Sequence, residues 1–139
     1  MILKVDKEKK WEARLDNVNN FFKTMEEWGD QRDFKTLPRA IMPYDVFVLK
    51  ENKTDVFCVS LHIGGHIGFA IFPLSNKKAK PLKGGLKYLY SAMYKYCRLM
   101  DIKVLITTAN PEGYKRILKS MDWMPTPLVD EDYYIKILK

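Results

Sequence analysis

Apolar positions along this chain fall into two rhythms. Trp11, Leu15, Val18, Phe22 and Met25 recur at steps of four and three, with Phe21 and Trp28 flanking them. That spacing predicts an amphipathic helix over roughly residues 8–28. Ahead of it, "ILKV" suits a short first strand. Gly29, Pro38 and Pro43 then break any period, so residues 29–43 read as an irregular connector. "YDVFVLK" and "DVFCVSLHI" are rich in β-branched and aromatic residues, and the polar "ENKT" between them predicts a hairpin. Gly64-Gly65 marks a second turn, and "HIGFAIFPLS" is the third strand of a meander. Helical spacing returns with Leu86, Leu89, Tyr90, Met93, Cys97 and Met100. "KVLIT" at 103–107 is a nearly continuous apolar run, as expected of a strand buried on both faces. Asn110 suits a helix N-cap, Pro111 the first helical position and Glu112 the positive helix end. Tyr114, Ile117, Leu118 and Met121 make the stripe of that helix, "DWMPTP" ends it, and "YYIKIL" is a last strand.

The order is therefore strand, helix, three antiparallel strands, helix, strand, helix, strand. It predicts an α/β chain (α+β, with a mixed, largely antiparallel sheet) and one right-handed parallel crossover between about residues 66 and 107. A length of 139 residues, 47% of them hydrophobic, suits one domain over 1–139 with one core. No apolar run approaches the ~20 residues of a membrane helix, and "MILKVDKEKK" lacks the apolar region of a secretory signal. Cys58 and Cys97 both sit in apolar patterns. They read as buried thiols, not as a disulfide framework or a metal set, which points to a cytoplasmic location.

Charge adds a location. Seven of the 24 basic residues lie between Ser75 and Arg98, a span with no acidic residue; the 17 that remain match the 17 acidic ones. The net charge of +7 thus belongs to one stretch, "SNKKAKPLKGG", and the helix after it. A local basic patch points to a polyanionic partner. The stretch is also the strand-to-helix turn of the crossover, where open α/β sheets bind ligands. A helix N-terminus there offers free N–H groups to a phosphate, Gly84 and Gly85 allow close backbone approach, and lysines add point charges.

Other candidates weigh less. His62 and His66 flank the Gly64-Gly65 turn; a neutral imidazole there could take a proton from an amine, although the hairpin puts them at the end of the sheet away from that turn. No third ligand type lies near them, so no metal site is expected. Tyr114, one turn into the last helix, could act as a general acid, and its apolar spacing also suits a core position. Ser120 and Asp122 suit a helix end. Tyr88, Tyr90, Tyr94 and Tyr96, interleaved with basic residues, could stack bases, which makes a basic nucleic-acid-binding module the third-ranked reading.

This order and its punctuation resemble the GNAT acyltransferase fold over nearly the whole chain. In that family the turn after the fourth strand carries Arg/Gln-x-x-Gly-x-Gly/Ala, whose amides hold the pyrophosphate of acetyl-coenzyme A. Here "PLKGGL" occupies the turn: Gly84 matches the first glycine, while Pro81 and Leu86 stand at the other two positions. Sliding the register puts Lys80 and Gly85 on the ends and Lys83 in the middle. The family's later asparagine is echoed by Asn110, and Asp122-Trp123 stand where its Gly-Phe would be; counting back, Leu118 occupies the place of its usual general-acid tyrosine. The resemblance implies acetyl-coenzyme A as acyl donor and an amine, on a small molecule or a protein, as acceptor. It implies that pantetheine pairs with backbone at Phe72 and Leu74, where Pro73 fits the family's bulge. Lys80 and Lys83 with Gly84 and Gly85 would meet the pyrophosphate, Lys77 and Lys78 the ribose phosphate, with Asn110 nearby. Tyr114 and His66 are the candidates for the catalytic roles. A narrower likeness, in "LHIGGHIGFAIFPLSN" and "YKRILKSMDW", is to the small acetyltransferase-like proteins of short-tailed coliphages. It implies a viral source, a host-cytoplasmic location and, as the alternative function, a catalytically degenerate GNAT-fold protein that binds a host or virion protein.

Overall fold

The computed structural model describes residues 1–28, 45–76, 78–79, 83–109, 112–126 and 133–139, apart from the side chains of Val18, Phe21, Met25, Ile71, Phe72 and Glu112. The connector at 29–43, Lys77, Lys80, Pro81, Asn110 and Pro111 lie outside the described residues. The elements are β1 (Ile2–Asp6), β2 (Trp11–Asn17), α1 (Val18–Glu27), β3 (Asp45–Glu51), β4 (Thr54–Gly64), β5 (Ile67–Ser75), α2 (Gly85–Leu99), β6 (Val104–Thr108), α3 (Glu112–Ser120), β7 (Met124–Pro125) and β8 (Tyr133–Ile137). Among the described residues the strands form one eight-stranded sheet in the order β1-β2-β3-β4-β5-β6-β8-β7. Every neighbouring pair is antiparallel except β5–β6.

The first helix corrects the sequence reading. Residues 11–17 are a strand paired on both sides, with β1 and with β3, and the helix begins only at Val18. The physical reason is that a step of four is even. Trp11 and Leu15 share a face in a helix and in a strand alike. Ala13, wholly buried between them, decides for period two. Asn17 then starts the helix by accepting a hydrogen bond on Oδ1 from the Asn20 amide at 3.0 Å.

The meander forms as its pattern requires. β3 and β4 join through Asn52 and Lys53, both at positive φ, and β4 and β5 through Gly65 at φ 62. One face of the sheet carries Ala13, Phe47, Leu49, Phe57, Val59, Leu61, Ala70 and Leu105, all essentially inaccessible, under α2 and α3. The other carries Val46, Val48, Cys58 and Leu74, with Phe22 and Trp28 of the α1 segment packed against them. β6 is buried on one face only, since Leu105 and Thr107 are covered while Val104 and Ile106 are half-buried. Met100, placed on the α2 stripe from its spacing, instead caps the helix and is exposed. β7 is a further strand that the broken "DWMPTP" pattern concealed. Among the described residues, no helix is long and apolar enough to cross a membrane.

Candidate active site

β5 and β6 run side by side only as far as Ala70 and Thr107. Beyond that vertex β5 continues to Ser75 paired with β4 alone. Register explains the divergence. Cys58 faces Leu74 but Ser60 faces Ile71, so Phe72 and Pro73 together oppose Val59 as a bulge. Proline suits that position because a bulge leaves a residue out of the ladder. Thr107 closes the vertex: its buried hydroxyl donates to the Ala70 carbonyl at 2.6 Å. The stretch holding Phe72 and Leu74 therefore offers a backbone edge to an extended ligand. The Leu74 side chain itself is committed to the core beneath α1.

The turn at the end of β5 is tied down by one residue. The Asn76 amide donates to the Val56 carbonyl at 2.9 Å, and its Nδ2 to the Asp55 carbonyl at 3.0 Å. Its Oδ1 accepts from the Lys78 amide at 2.9 Å, and its carbonyl from the Ala79 amide at 3.2 Å. At the far side of the turn Gly84 is the N-cap of α2, at φ 91, with no side-chain cap and no acidic residue in the first turn. The first amides of α2 thus keep their donors and the positive end of the helix dipole is uncompensated. Gly85 is buried, while Lys78 and Lys83 are exposed on either side of the turn. Trp11 stands against the same helix end. Its ring centroid is 5.3 Å from that of Tyr88, and its Cη2 lies 3.4 Å from where a Gly84 Cβ would be.

Tyr114 reaches the vertex from α3. Its hydroxyl is bonded to the Tyr90 hydroxyl of α2, and Thr107 is close enough to act on it electrostatically. Burial pushes the Tyr114 phenol above its ordinary value, and Tyr90 and Thr107 pull it partly back. Burial raises Tyr90 well above the ordinary phenol range, and Tyr114 adds to the rise. Leu118, at the family's tyrosine position, is wholly buried in the core.

His66 is not part of this group. It lies just before β5, ~13 Å of strand from the vertex at Ala70 and ~30 Å from the turn after Ser75 at ~3.3 Å per residue. Its side chain is exposed, with Nδ1 2.9 Å from the Asp101 carbonyl oxygen and 3.4 Å from the Asp101 carboxylate. Lys103 holds that carboxylate at 2.9 Å and lowers its pKa. The base-stacking reading is corrected as well. Tyr88, Tyr90 and Tyr94 are buried in the core, and the Tyr96 hydroxyl donates to Asp45 at 3.1 Å. Sequence reasoning passed over Asn76, Trp11, Tyr90 and Thr107 as site residues. Only Asn76 carried a local signal, an asparagine at a strand end ahead of a turn.

A mostly antiparallel sheet with one parallel pair, split beyond a bulge and followed by a glycine-led helix, is the fold of the GNAT acetyltransferases. No family model matches the sequence, and no curated protein matches it. Three solved structures show the likeness. An acetyl transferase of Salmonella typhimurium, which modifies the N-terminal serine of a 50S ribosomal subunit protein, matches with TM-score 0.67 and 12% identity over 100% of both chains. A GNAT-family acetyltransferase of Bacillus anthracis matches with TM-score 0.64 and 18% identity, covering 99% of this chain and 98% of that one. A GNAT-family acetyltransferase of Staphylococcus aureus matches with TM-score 0.64 and 13% identity, covering 91% and 99%.

Proposed function

We propose that this chain is an acyl-coenzyme-A-dependent N-acyltransferase-like protein that moves an acetyl group from acetyl-coenzyme A to an amine. The observation that supports it most is the separation of β5 from β6 at Ala70 and Thr107, with the open helix end of α2 beyond it. Pantetheine would lie along the freed edge of β5 at Phe72 and Leu74. The pyrophosphate would meet the amides at Gly84 and Gly85 with Lys80 and Lys83, and the ribose phosphate Lys77 and Lys78, with Asn110 beside the cofactor. A thioester is already activated, so holding the amine against its carbonyl would supply most of the rate. The amine nitrogen bonds to the carbonyl carbon and loses a proton to water; the carbon–sulfur bond breaks, and Tyr114 gives its proton to the sulfur. The acceptor amine belongs to a small molecule or a protein, and the two buried cysteines outside any disulfide, Cys58 and Cys97, fit a reducing cytoplasm.

Isothermal titration with coenzyme A, then thiol release from acetyl-coenzyme A in the presence of simple amines, tests this. Saturable binding is expected, with turnover that falls roughly 100-fold or more in Tyr114→Phe while coenzyme affinity holds. A flat titration at millimolar coenzyme A sinks the reading. It would leave the rival, a phage-type protein that binds a host or virion partner, which rests on sequence patterns alone.

A further inference from the structure

Three hydroxyls and one carbonyl meet at the vertex of the split strands, and each hydroxyl has one hydrogen to give. Thr107 spends its hydrogen on the Ala70 carbonyl. Tyr114 shares a hydrogen bond with Tyr90, and either hydroxyl can be the donor while both are neutral. Tyr90 is wholly enclosed, among the rings of Phe57, Tyr94 and Trp123. Tyr94 next to it accepts from Trp123 Nε1 at 2.6 Å. Once Tyr114 has lost its proton, only Tyr90 can donate in that bond, and the buried setting strengthens it.

We propose that Tyr90 is a positioning residue for Tyr114, holding its phenol at the vertex and stabilising the phenolate that forms when Tyr114 gives its proton away. This rests on the coenzyme reading above. Tyr90 cannot touch the coenzyme, since its hydroxyl faces Tyr114 inside the core. When a thiolate forms at the vertex, the Tyr114 proton passes to sulfur. The Tyr90 bond stays in place and is worth more to a phenolate than to a phenol. Thr107 is then free to turn its own hydrogen from Ala70 to the same oxygen. After product leaves, Tyr114 recovers a proton from water, so protons balance. An amino acid in the second turn of α2, about 9 Å along the helix from Gly84 and enclosed in the core, thereby tunes the acid.

Coenzyme A itself is the probe. Its thiol titration when bound is read from thiolate absorbance across pH, beside its affinity. In the native protein the bound thiol should ionise more readily than in free coenzyme A, because Tyr114 donates to the thiolate. Tyr114→Phe should abolish that difference. Tyr90→Phe, which keeps the ring, should leave roughly threefold less thiolate at fixed pH, the order expected of one lost hydrogen bond. Added to Tyr114→Phe it should do nothing more. Thr107→Val should act in the same direction and Thr107→Ser should restore the native titration. A merely structural Tyr90 would lower the melting point in both backgrounds without moving the thiol titration, and that result overturns the proposal. If coenzyme A does not bind the native protein, the functional reading falls and this inference with it. If it binds and Tyr90→Phe titrates like the native protein, only the inference falls.

Discussion

Gly84 is where backbone geometry and chemistry meet at the scale of one residue. Its φ of 91 lies in the left-handed region, so a Cβ there costs strain whatever the space around it. The space is in fact adequate, since the nearest atom to such a Cβ, Trp11 Cη2, is at ordinary contact distance. Gly84→Ala should therefore destabilise the fold by about 1–2 kcal/mol in urea titration. Gly84→Asn should cost less, because asparagine tolerates this region. If coenzyme binding depends on backbone approach, Gly84→Asn still loses it. Retained binding in a stable Gly84→Asn protein would remove the glycine from the site. The glycines and lysines of the turn stand out as candidates because a charged, glycine-bearing stretch after an apolar run is a local signal. The Tyr90–Tyr114–Thr107 group was not. Its members lie on α2, α3 and β6, and only the crossover brings them together.

At the scale of elements, legibility followed the uniqueness of each period. The β3–β4–β5 meander and the α2 crossover were readable, because turn residues bracket runs that fit one period only. β2 was not, since its Trp11–Leu15 step fits two. β7, only two residues long, pairs through backbone and leaves almost no pattern. Where α2 returns to β6, packing is tight enough to test. A Cβ on Gly68 would lie 2.7 Å from Leu105 Cδ2 and 3.2 Å from Leu61 Cδ1. Gly68→Ala should cost about 1–3 kcal/mol by overpacking. Leu105→Val should recover part of that in a double-mutant cycle, and simple additivity would show the clash is relieved elsewhere. Also on α2, burial pushes the Cys97 thiol from 9.0 up to about 12. A raised folded pKa means the unfolded chain ionises first. The contribution is complete below about pH 9 and is lost as pH rises toward 12. Stability should fall by roughly 1 kcal/mol from this thiol between pH 8 and 10. Cys97→Ala, less stable at neutral pH, should show a shallower slope over that window in urea midpoints. An unchanged slope would assign the alkaline loss to the buried tyrosines instead.

At the scale of the whole molecule, the distribution of charge makes a stronger statement than its sum. The net +7 is carried by Ser75 to Arg98, and the remainder is neutral, so the positive field is centred on the turn and α2. A cradle and a general field can be separated by moving the same charge from two places. Lys78→Glu with Lys83→Glu reverses two exposed lysines at the turn; Lys95→Glu with Lys119→Glu makes the same change in net charge at exposed positions toward the other ends of α2 and α3. Neither pair should alter folding by more than about 0.5 kcal/mol, since these side chains are on the surface. The turn pair should weaken coenzyme A binding about tenfold or more in 50 mM salt. The loss should shrink in 0.5 M salt, because screening, about 10 Å in 0.1 M salt, tightens further. The distant pair should change affinity little at either salt. Equal losses from both pairs would mean that the coenzyme feels only the overall field. No loss from either would mean that the amides of α2 hold the phosphates without the lysines. In both cases the local charge cradle at the turn is refuted, while the split between β5 and β6 stands untouched.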